Sequence, residues 1–243
     1  LLLGNLNGYD SLVTIDDVSN FLKAGPQDRA NWVWQYYSRD AVRPEQVRNV
    51  ELGYRSTWWE RLYLDATYYY SWYSDFIGYH LGLRIEDDPG GSAADRLRGV
   101  QAYRIASNAT QQVTTQGFSI GSNYYFSRYT LAANYTWNVL NSGEDDPIIP
   151  AYNTPEHKYN VSFAGRDLNW RLGKGRSGFM ASYKWVEGFL FEGSPQFTGR
   201  IPSYSLVDAQ VSWASPDQHW LLKLGSSNLL NREVVQVYGG PAV

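Results

Sequence analysis

Residues 62–72 read LYLDATYYYSW, and every second side chain in this run is apolar or aromatic. The side chains between them are mostly polar, and Asp65 is one of these. An alternation with a period of two places all the apolar groups on one face of an extended strand, whereas a helix would scatter them around its circumference. The run is therefore predicted to be a β-strand with one apolar face and one polar face.

The same alternation dominates the chain from about residue 46 onward. Apolar or aromatic side chains occupy alternate positions in four further segments, which are Phe118–Phe126, Tyr129–Trp137, Phe179–Trp185 and Val207–Trp213. Roughly eight such strands fit between Gln46 and Ser227. The predicted fold class is all-β.

The aromatic content indicates where these strands lie. Aromatic residues make up 16% of the chain, with 20 Tyr and 10 Trp, and several apolar faces finish in one of these two residues. Tyr and Trp join an apolar ring to a polar atom, so they suit the boundary between lipid and water and form the girdles of transmembrane barrels. The alternative on pattern alone is a soluble β-sandwich with one solvated face.

The lengths of the connections favour the barrel. Short connections fall near residues 57–60, 127–128, 172–176 and 215–218, and between them lie long ones near residues 81–112, 141–156 and 193–202. Outer-membrane barrels combine short periplasmic turns with long extracellular loops, which gives this alternation. A soluble sandwich has no reason to place every long loop at one end. The sequence thus predicts a transmembrane antiparallel β-barrel.

Composition excludes several other classes. The absence of cysteine rules out a disulfide scaffold, a thiolate metal site and a cysteine nucleophile. A net charge of -3 gives no polybasic signature, so nucleic acid is not expected as a partner. The uncharged stretch at residues 111–127 is rich in Thr, Gln, Ser and Asn and does not resemble a membrane-spanning helix.

The chain divides into two predicted regions. Residues 1–45, rich in Gly, Asn and Asp, are expected to form an extracellular loop region with the end of a preceding strand, and residues 46–243 the barrel strands. Eight strands are enough to close a small barrel. However, residues 1–45 and the turn signal at Gly239–Val243 indicate a larger one. A sheet edge left open in lipid would expose unpaired backbone groups, so we expect further strands in this protein or in a partner.

Several segments resemble the barrel of TonB-dependent outer-membrane receptors. Residues 43–55 (RPEQVRNVELGYR) resemble a segment that opens a barrel strand in that family, and residues 153–160 (NTPEHKYN) resemble a run that leads from a loop into a strand. The segments 206–211 (LVDAQV) and 223–232 (KLGSSNLLNR) resemble the penultimate strands of the family. Residues 146–150 and 187–195 look like the Bacteroidota version of these receptors. Their order and spacing together are more specific than any single motif.

This resemblance implies active import of a nutrient ligand across the outer membrane. In such receptors a barrel of about 22 strands surrounds a plug, and energy arrives through contact between TonB and that plug. The chain would then be the C-terminal part of the barrel, without the plug or the final strand. The implied partners are outer-membrane lipid and lipopolysaccharide, TonB through the plug, and a surface lipoprotein or larger complex. The alternative is a non-transporting barrel subunit that scaffolds a surface or secretion complex. A third hypothesis is a soluble β protein that binds glycans.

Two sets of residues are candidate functional sites. Charged residues on the polar faces of the strands are expected to point into the lumen, because charge is unfavourable on the lipid face; these are Asp65, Lys184, Asp208 and Lys223. Aromatic residues in the long loops are candidate ligand contacts, although they would serve equally to pack loop against loop; these are Tyr103, Phe189, Phe191 and Phe197.

No enzymatic or cofactor site is predicted. The three histidines, His80, His157 and His219, have no metal-ligand spacing and are interpreted as polar residues at a wet boundary. The acidic triplets at 86–88 and 144–146 lack the spacing of a calcium loop and are interpreted as solvated charge, with a calcium site as the alternative. The sequence also contains no nucleophile-elbow motif and no recognisable catalytic triad.

Overall fold

A computed structural model describes residues 12–36, 41–85, 92, 94–97, 100–142, 152–169, 174–193 and 197–240, except for the side chains of His80 and Arg96. Strands make up almost all of the regular secondary structure in these ranges. The exceptions there are two short helices, at residues 15–23 and 26–30, and a 3₁₀ turn at Asp95–Leu97. The elements in chain order are β1 (Leu12–Thr14), α1 (Ile15–Lys23), α2 (Pro26–Ala30), β2 (Gln46–Trp58), β3 (Leu62–Ser74), β4 (Ile77–Arg84), β5 (Gln101–Asn108), β6 (Val113–Phe126), β7 (Tyr129–Asn141), β8 (His157–Leu168), β9 (Arg176–Val186), β10 (Phe189–Glu192), β11 (Thr198–Ile201), β12 (Tyr204–Ala214) and β13 (Leu221–Ser226).

Eight strands form one large antiparallel sheet in the order β13-β12-β9-β8-β7-β6-β3-β2. The order is linear, so β2 and β13 lie at its two edges and the sheet does not close on itself. Strands that follow one another in the chain are neighbours, apart from the short pairs β4–β5 and β10–β11, which leave the sheet and return. This up-and-down arrangement confirms the predicted fold class, with the eight strands of the large sheet lying between Gln46 and Ser226.

The predicted alternation of short and long connections is also confirmed. Residues 59–61, 127–128, 169–175 and 215–220 connect strands at one end of the large sheet, which we call the turn end. At the other end, the loop end, the connections are residues 75–112, 142–156 and 187–203. Two of the tight turns contain non-glycine residues with positive φ, Trp59 (50°) with Glu60 (56°) and Ser127 (55°), a conformation that suits the twist of antiparallel hairpins.

Register brings the apolar residues of different strands onto one face. Across the sheet, Leu64 pairs with Ser122, Ala66 with Ile120, and Ile120 with Tyr135. Paired residues in antiparallel strands point to the same side. The five alternating segments of the sequence therefore share a single face, which we call the apolar face. Gly53, Asp65 and Asn134 lie on the opposite, polar face.

A separate small core lies beyond the loop end. Strands β1, β4 and β5 form a three-stranded sheet, and α1 packs on it. Val13, Phe21, Trp34 and Ile85 are buried together in this core. Helix α1 begins at Ile15 because the Thr14 side chain accepts a hydrogen bond from the Asp17 backbone N–H. These helices were not predicted from the sequence, because a nine-residue pattern is too short to stand out from its polar surroundings.

Among the described residues, no helix combines the length and the apolar character needed to cross a bilayer.

Candidate functional site

The polar face of the large sheet holds all four charged candidates. Asp65 lies on β3, Lys184 on β9, Asp208 on β12 and Lys223 on β13. Asp65 and Lys184 belong to one row across the sheet, through the pairs Asp65–Gly121, Gly121–Asn134, Asn134–Asn160 and Asn160–Lys184. Asp208 and Lys223 lie in other rows. That this face looks into a lumen remains a prediction.

Asp65 forms an ion pair that the sequence analysis did not identify. The Arg55 guanidinium lies 2.7 Å from the Asp65 carboxylate, and the Tyr63 hydroxyl donates to the same oxygen at 3.1 Å. Arg55 pairs directly with Asp65 across the β2–β3 hairpin. The short turn at residues 59–61 sets this register, so the pair could have been found by counting outward from the turn.

Asp208 binds the segment that follows the edge strand β13. Its carboxylate accepts a hydrogen bond from the Asn228 backbone N–H at 2.8 Å. The Asn228 side chain in turn bonds the Arg232 backbone, with its oxygen accepting at 2.9 Å and its amide donating at 2.8 Å. These contacts account for the first asparagine of the Asn-Leu-Leu-Asn-Arg motif, and Asn228 has a φ of 49°, a conformation that Asn tolerates better than most non-glycine residues.

Lys184 and Lys223 differ from the two aspartates. Within the described part of the chain, neither lysine has an ion pair. Lys184 pairs with Asn160 and Leu206, and Lys223 pairs with Ser212 on the edge strand β13. On the same face, Asp65 is paired with Arg55, so the two candidate lysines differ from it in having no ion partner among the described residues.

The four aromatic candidates lie on two different loop structures. Tyr103 is on β5, and its hydroxyl donates to the Gln101 side chain at 2.8 Å. Phe189 and Phe191 are on β10, where they pair with Ile201 and Gly199 of β11. Phe197 lies just before β11 and packs against Gly239. The three phenylalanines thus belong to one hairpin, whereas Tyr103 lies on the separate strand pair β4–β5.

A polar cluster connects these two loop structures. Arg104 on β5 lies over the Tyr79 ring, with its guanidinium carbon 3.3 Å from the ring centre. Burial raises the pKa of the Tyr79 hydroxyl, and the carboxylate of Glu192 on β10 adds to this rise. Burial likewise raises the pKa of Glu192, and the charge of Arg104 opposes the increase. Nothing in the sequence spacing relates Tyr79, Arg104 and Glu192, so the sequence analysis missed them.

The long connection between β7 and β8 is joined to its neighbours by hydrogen bonds. The Asn153 side chain accepts from the Glu192 backbone N–H at 2.7 Å and donates to its carbonyl at 3.1 Å. Tyr152 is hydrogen-bonded to Tyr69, and burial, followed by this bond, raises the pKa of Tyr152. Among the described residues of the loop end, these bonds link Asn153 to Glu192 and Tyr152 to Tyr69. The acidic triplets at 86–88 and 144–146 lie outside the described residues, so their interpretation stays a prediction.

Aromatic rings border the apolar face at both ends. Near the loop end, Phe118 lies 5.5 Å from Tyr135 and 5.7 Å from Trp137. Near the turn end, Tyr129 lies 5.6 Å from both Phe126 and Phe163. Eight residue steps from Tyr129 to Trp137 span about 27 Å along the strand. With the usual barrel tilt this becomes about 20 Å, close to the height of the apolar band of outer-membrane barrels.

Comparison with known proteins agrees with this architecture. Residues 13–229 match the family model described as "TonB dependent receptor-like, beta-barrel". No curated protein matches the chain.

Solved structures of outer-membrane transporters have a similar fold. The apoprotein form of the FrpB iron transporter from Neisseria meningitidis is 14% identical, with a TM-score of 0.53 over 81% of this chain and 28% of that one. The copper transporter OprC is 14% identical, with a TM-score of 0.57 over 82% and 27%. The siderophore receptor PirA from Acinetobacter baumannii is 17% identical, with a TM-score of 0.50 over 79% and 28%.

The two kinds of match carry different weight. At these identities the structural likeness shows the fold alone, and the chain spans less than a third of the length of each of these three proteins. The family match covers most of the chain and agrees with the resemblance found in its motifs. The chain belongs to the TonB-dependent receptor family, and it corresponds to part of that family's β-barrel.

Proposed function

We propose that this chain is the C-terminal part of the barrel of an outer-membrane receptor that actively imports a nutrient ligand. The observation that carries the proposal is the family match over residues 13–229. In this arrangement the apolar face contacts lipid and the polar face lines the lumen. The loop end is extracellular, and residues 1–45 belong to it. The proposal assigns the chain no catalytic role.

The remaining strands and the plug belong, in this proposal, to other parts of the full-length receptor. The exposed edges of β2 and β13 support this, since both must pair in a bilayer to satisfy their backbone groups. The FrpB structure, of which the chain covers 28%, leaves room for such segments. TonB acts on the plug, and outer-membrane lipid with lipopolysaccharide surrounds the barrel. A surface lipoprotein that caps the barrel is a further proposed partner.

Ligand capture is assigned to the loop end. The support is the polar cluster of Tyr79, Arg104 and Glu192, with Tyr152 nearby in the chain connections of the same end. These residues place hydroxyl, guanidinium and carboxylate groups at the loop end of the sheet. The aromatic candidates Tyr103, Phe189, Phe191 and Phe197 lie on the same loop structures. They are proposed as secondary contacts to the ligand. Packing of loop against loop is their other role, and Phe197 already packs against Gly239.

The first experiment separates the importer from the scaffold. The intact protein is recovered from its native cell envelope, and its N-terminal region is sequenced by mass spectrometry. A plug of roughly a hundred residues or more with a TonB box supports import. A mature protein that starts near Leu1 contradicts it and favours a subunit that completes its barrel with a partner.

The second experiment tests transport itself. The structural neighbours are named for iron, copper and siderophore, so the first probes are radiolabelled iron chelates and copper. Cells that express the receptor should bind a cognate probe with or without TonB but accumulate it only with TonB. Equal accumulation in both strains would contradict energised import.

A further inference from the structure

One end of the β8–β9 pair brings a histidine and two carboxylates together. His157 is the first residue of β8, Glu156 precedes it, and Glu187 directly follows β9. One ring nitrogen of His157 and one carboxylate oxygen from each glutamate all lie within 4.8 Å of one another. Because Glu187 is thirty positions away, only strand register assembles this group. The spacing rule that found no metal motif in the sequence could not detect it.

Residues outside the group hold its side chains in place. The Tyr135 hydroxyl lies 2.6 Å from Nδ1 of His157, and the Trp137 indole N–H donates to Glu156 Oε1 at 3.0 Å. Nε2 of His157 lies 3.8 Å from the same Glu156 oxygen. Histidine ligands of metals donate their second ring N–H to an outer partner, which fixes the ring and its tautomer. Tyr135 occupies the position of that partner, with Nδ1–H as donor and Nε2 available to an ion.

Backbone pairing fixes the third member. Glu187 Oε2 accepts a hydrogen bond from the His157 backbone N–H at 3.1 Å, and the Glu187 N–H donates to the His157 carbonyl at 3.0 Å. A carboxylate has about four lone-pair sites, so one accepted bond leaves others for a cation. Ligand atoms about 2.1 Å from zinc stand about 3.4 Å apart in a tetrahedron. The ligand atoms of this group lie within 4.8 Å of one another. Bringing them to the zinc spacing needs a rotation of Glu156, whose side chain is 52% exposed.

The chemistry of the group selects the ion. Two carboxylates and a neutral imidazole offer a charge of -2 to a divalent cation. Imidazole suits zinc, nickel, copper and iron, whereas calcium and magnesium prefer ligand sets made of oxygen. His157 pairs with Trp137, so it lies on the apolar face, away from the polar face that the import proposal assigns to the lumen. The group is thus separate from any cargo path.

We propose that Glu156, His157 and Glu187 bind a divalent transition-metal ion of the zinc class. The ion ties the end of the 142–156 connection to the start of the 187–203 connection. It lies beside Tyr135 and Trp137, near the loop end of the sheet. Its role is structural, because it would join two long connections where they meet the sheet, and a water molecule would complete its coordination.

The test uses the full-length receptor, purified in detergent and stripped with EDTA. Zinc is titrated by calorimetry, and cobalt is used as a probe whose visible absorption reports its ligands. We expect one saturable component that disappears in His157→Ala and in Glu187→Gln. Tyr135→Phe should weaken it by about 10–100-fold, as loss of an outer partner does. The matched control is His219→Ala, since His219 lies 3.0 Å from Asp217 but has a single carboxylate beside it.

Folding is controlled separately. Each variant is accepted only if its melting temperature in EDTA equals that of the unsubstituted receptor, and Glu156→Gln, the change at the most exposed ligand, replaces any variant that fails. Zinc should raise the melting temperature of the receptor and of His219→Ala, but not of the ligand variants. Unchanged zinc affinity in His157→Ala and Glu187→Gln, or no saturable binding at all, would overturn the proposal. Neither outcome bears on import, which the uptake assay measures independently.

Discussion

The hydroxyl of Tyr69 on β3 lies 2.9 Å from the side-chain oxygen of Asn138 on β7, although strand β6 runs between them. The bond is made over Gly117, which pairs with both Tyr69 and Asn138 and has no side chain to obstruct the ring. A Cβ at Gly117 would lie 2.8 Å from the Tyr69 ring and 2.5 Å from the Trp137 carbonyl oxygen. Glycine at this position therefore allows three strands to be linked by one tyrosine.

Gly117→Ala is accordingly expected to destabilise the receptor by about 1–3 kcal/mol, the usual effect of overpacking. The free energy of unfolding in urea, measured in lipid or detergent, checks this. Gly121→Ala is the matched control on the same strand, because a Cβ there meets its nearest atom at 3.9 Å, an ordinary contact. Equal stability of the two variants would show that the Tyr69 ring and the Trp137 backbone both shift without loss of stability.

The apolar and polar faces can be compared at two neighbouring alanines of β7. Ala133 pairs with Ser122 and Val161 on the apolar face, whereas Ala132 pairs with Asn123 and Ser162 on the polar face. If the apolar face contacts lipid, Ala133→Arg should destabilise the receptor by about 2–4 kcal/mol, the value for arginine at the bilayer midplane. Ala132→Arg should have a much smaller effect. Unfolding measured in lipid vesicles distinguishes them, and a reversed order would contradict the assignment of the faces.

Water access provides an independent test of the lumen. Lys184 lies on the polar face and Tyr183 on the apolar face, and the chain itself contains no cysteine. We expect a charged maleimide, which reacts only with a hydrated thiolate, to label Lys184→Cys much faster than Tyr183→Cys in outer-membrane vesicles. The unsubstituted receptor gives the background. Preferential labelling of Tyr183→Cys would show that the polar face does not line the lumen.

The packing of the β10–β11 hairpin should depend on pH through Glu192. Burial raises the pKa of Glu192 above its ordinary value of 4.5, so the packed state binds the proton more tightly than the unpacked state does. Protonated Glu192 therefore stabilises the packed hairpin fully below pH 4.5, and this stabilisation decreases as the pH rises through the raised pKa. Hydrogen exchange of residues 189–201, corrected for intrinsic rates, should therefore slow as the pH is lowered from 7 towards 5.

Glu192→Gln removes the titrating group while keeping a similar shape. This variant should exchange slowly at pH 7 and show little change in that range. Glu233→Gln, at an exposed carboxylate after β13, should retain the pH dependence of the unsubstituted receptor. A Glu192→Gln variant that still responds to pH would place the titrating group elsewhere.

The sequence by itself determined the strands, their two faces and the rhythm of their connections. These depend on local patterns, since a period of two within one segment, as in residues 62–72, already separates Leu64 from Asp65. The motifs also indicated the family. The Arg55–Asp65 pair lay within reach of the same reasoning, because a short turn fixes the register of its hairpin.

Only the tertiary structure decided which distant residues meet. The bond between Tyr69 and Asn138 spans 69 positions, and Glu187 reaches His157 across 30. Tyr79, Arg104 and Glu192 come from two different connections. Such contacts follow from register between strands and from the packing of loops, which are collective properties of the folded sheet. A local pattern specifies the face on which a side chain lies, but its neighbours on that face are set by every strand between them.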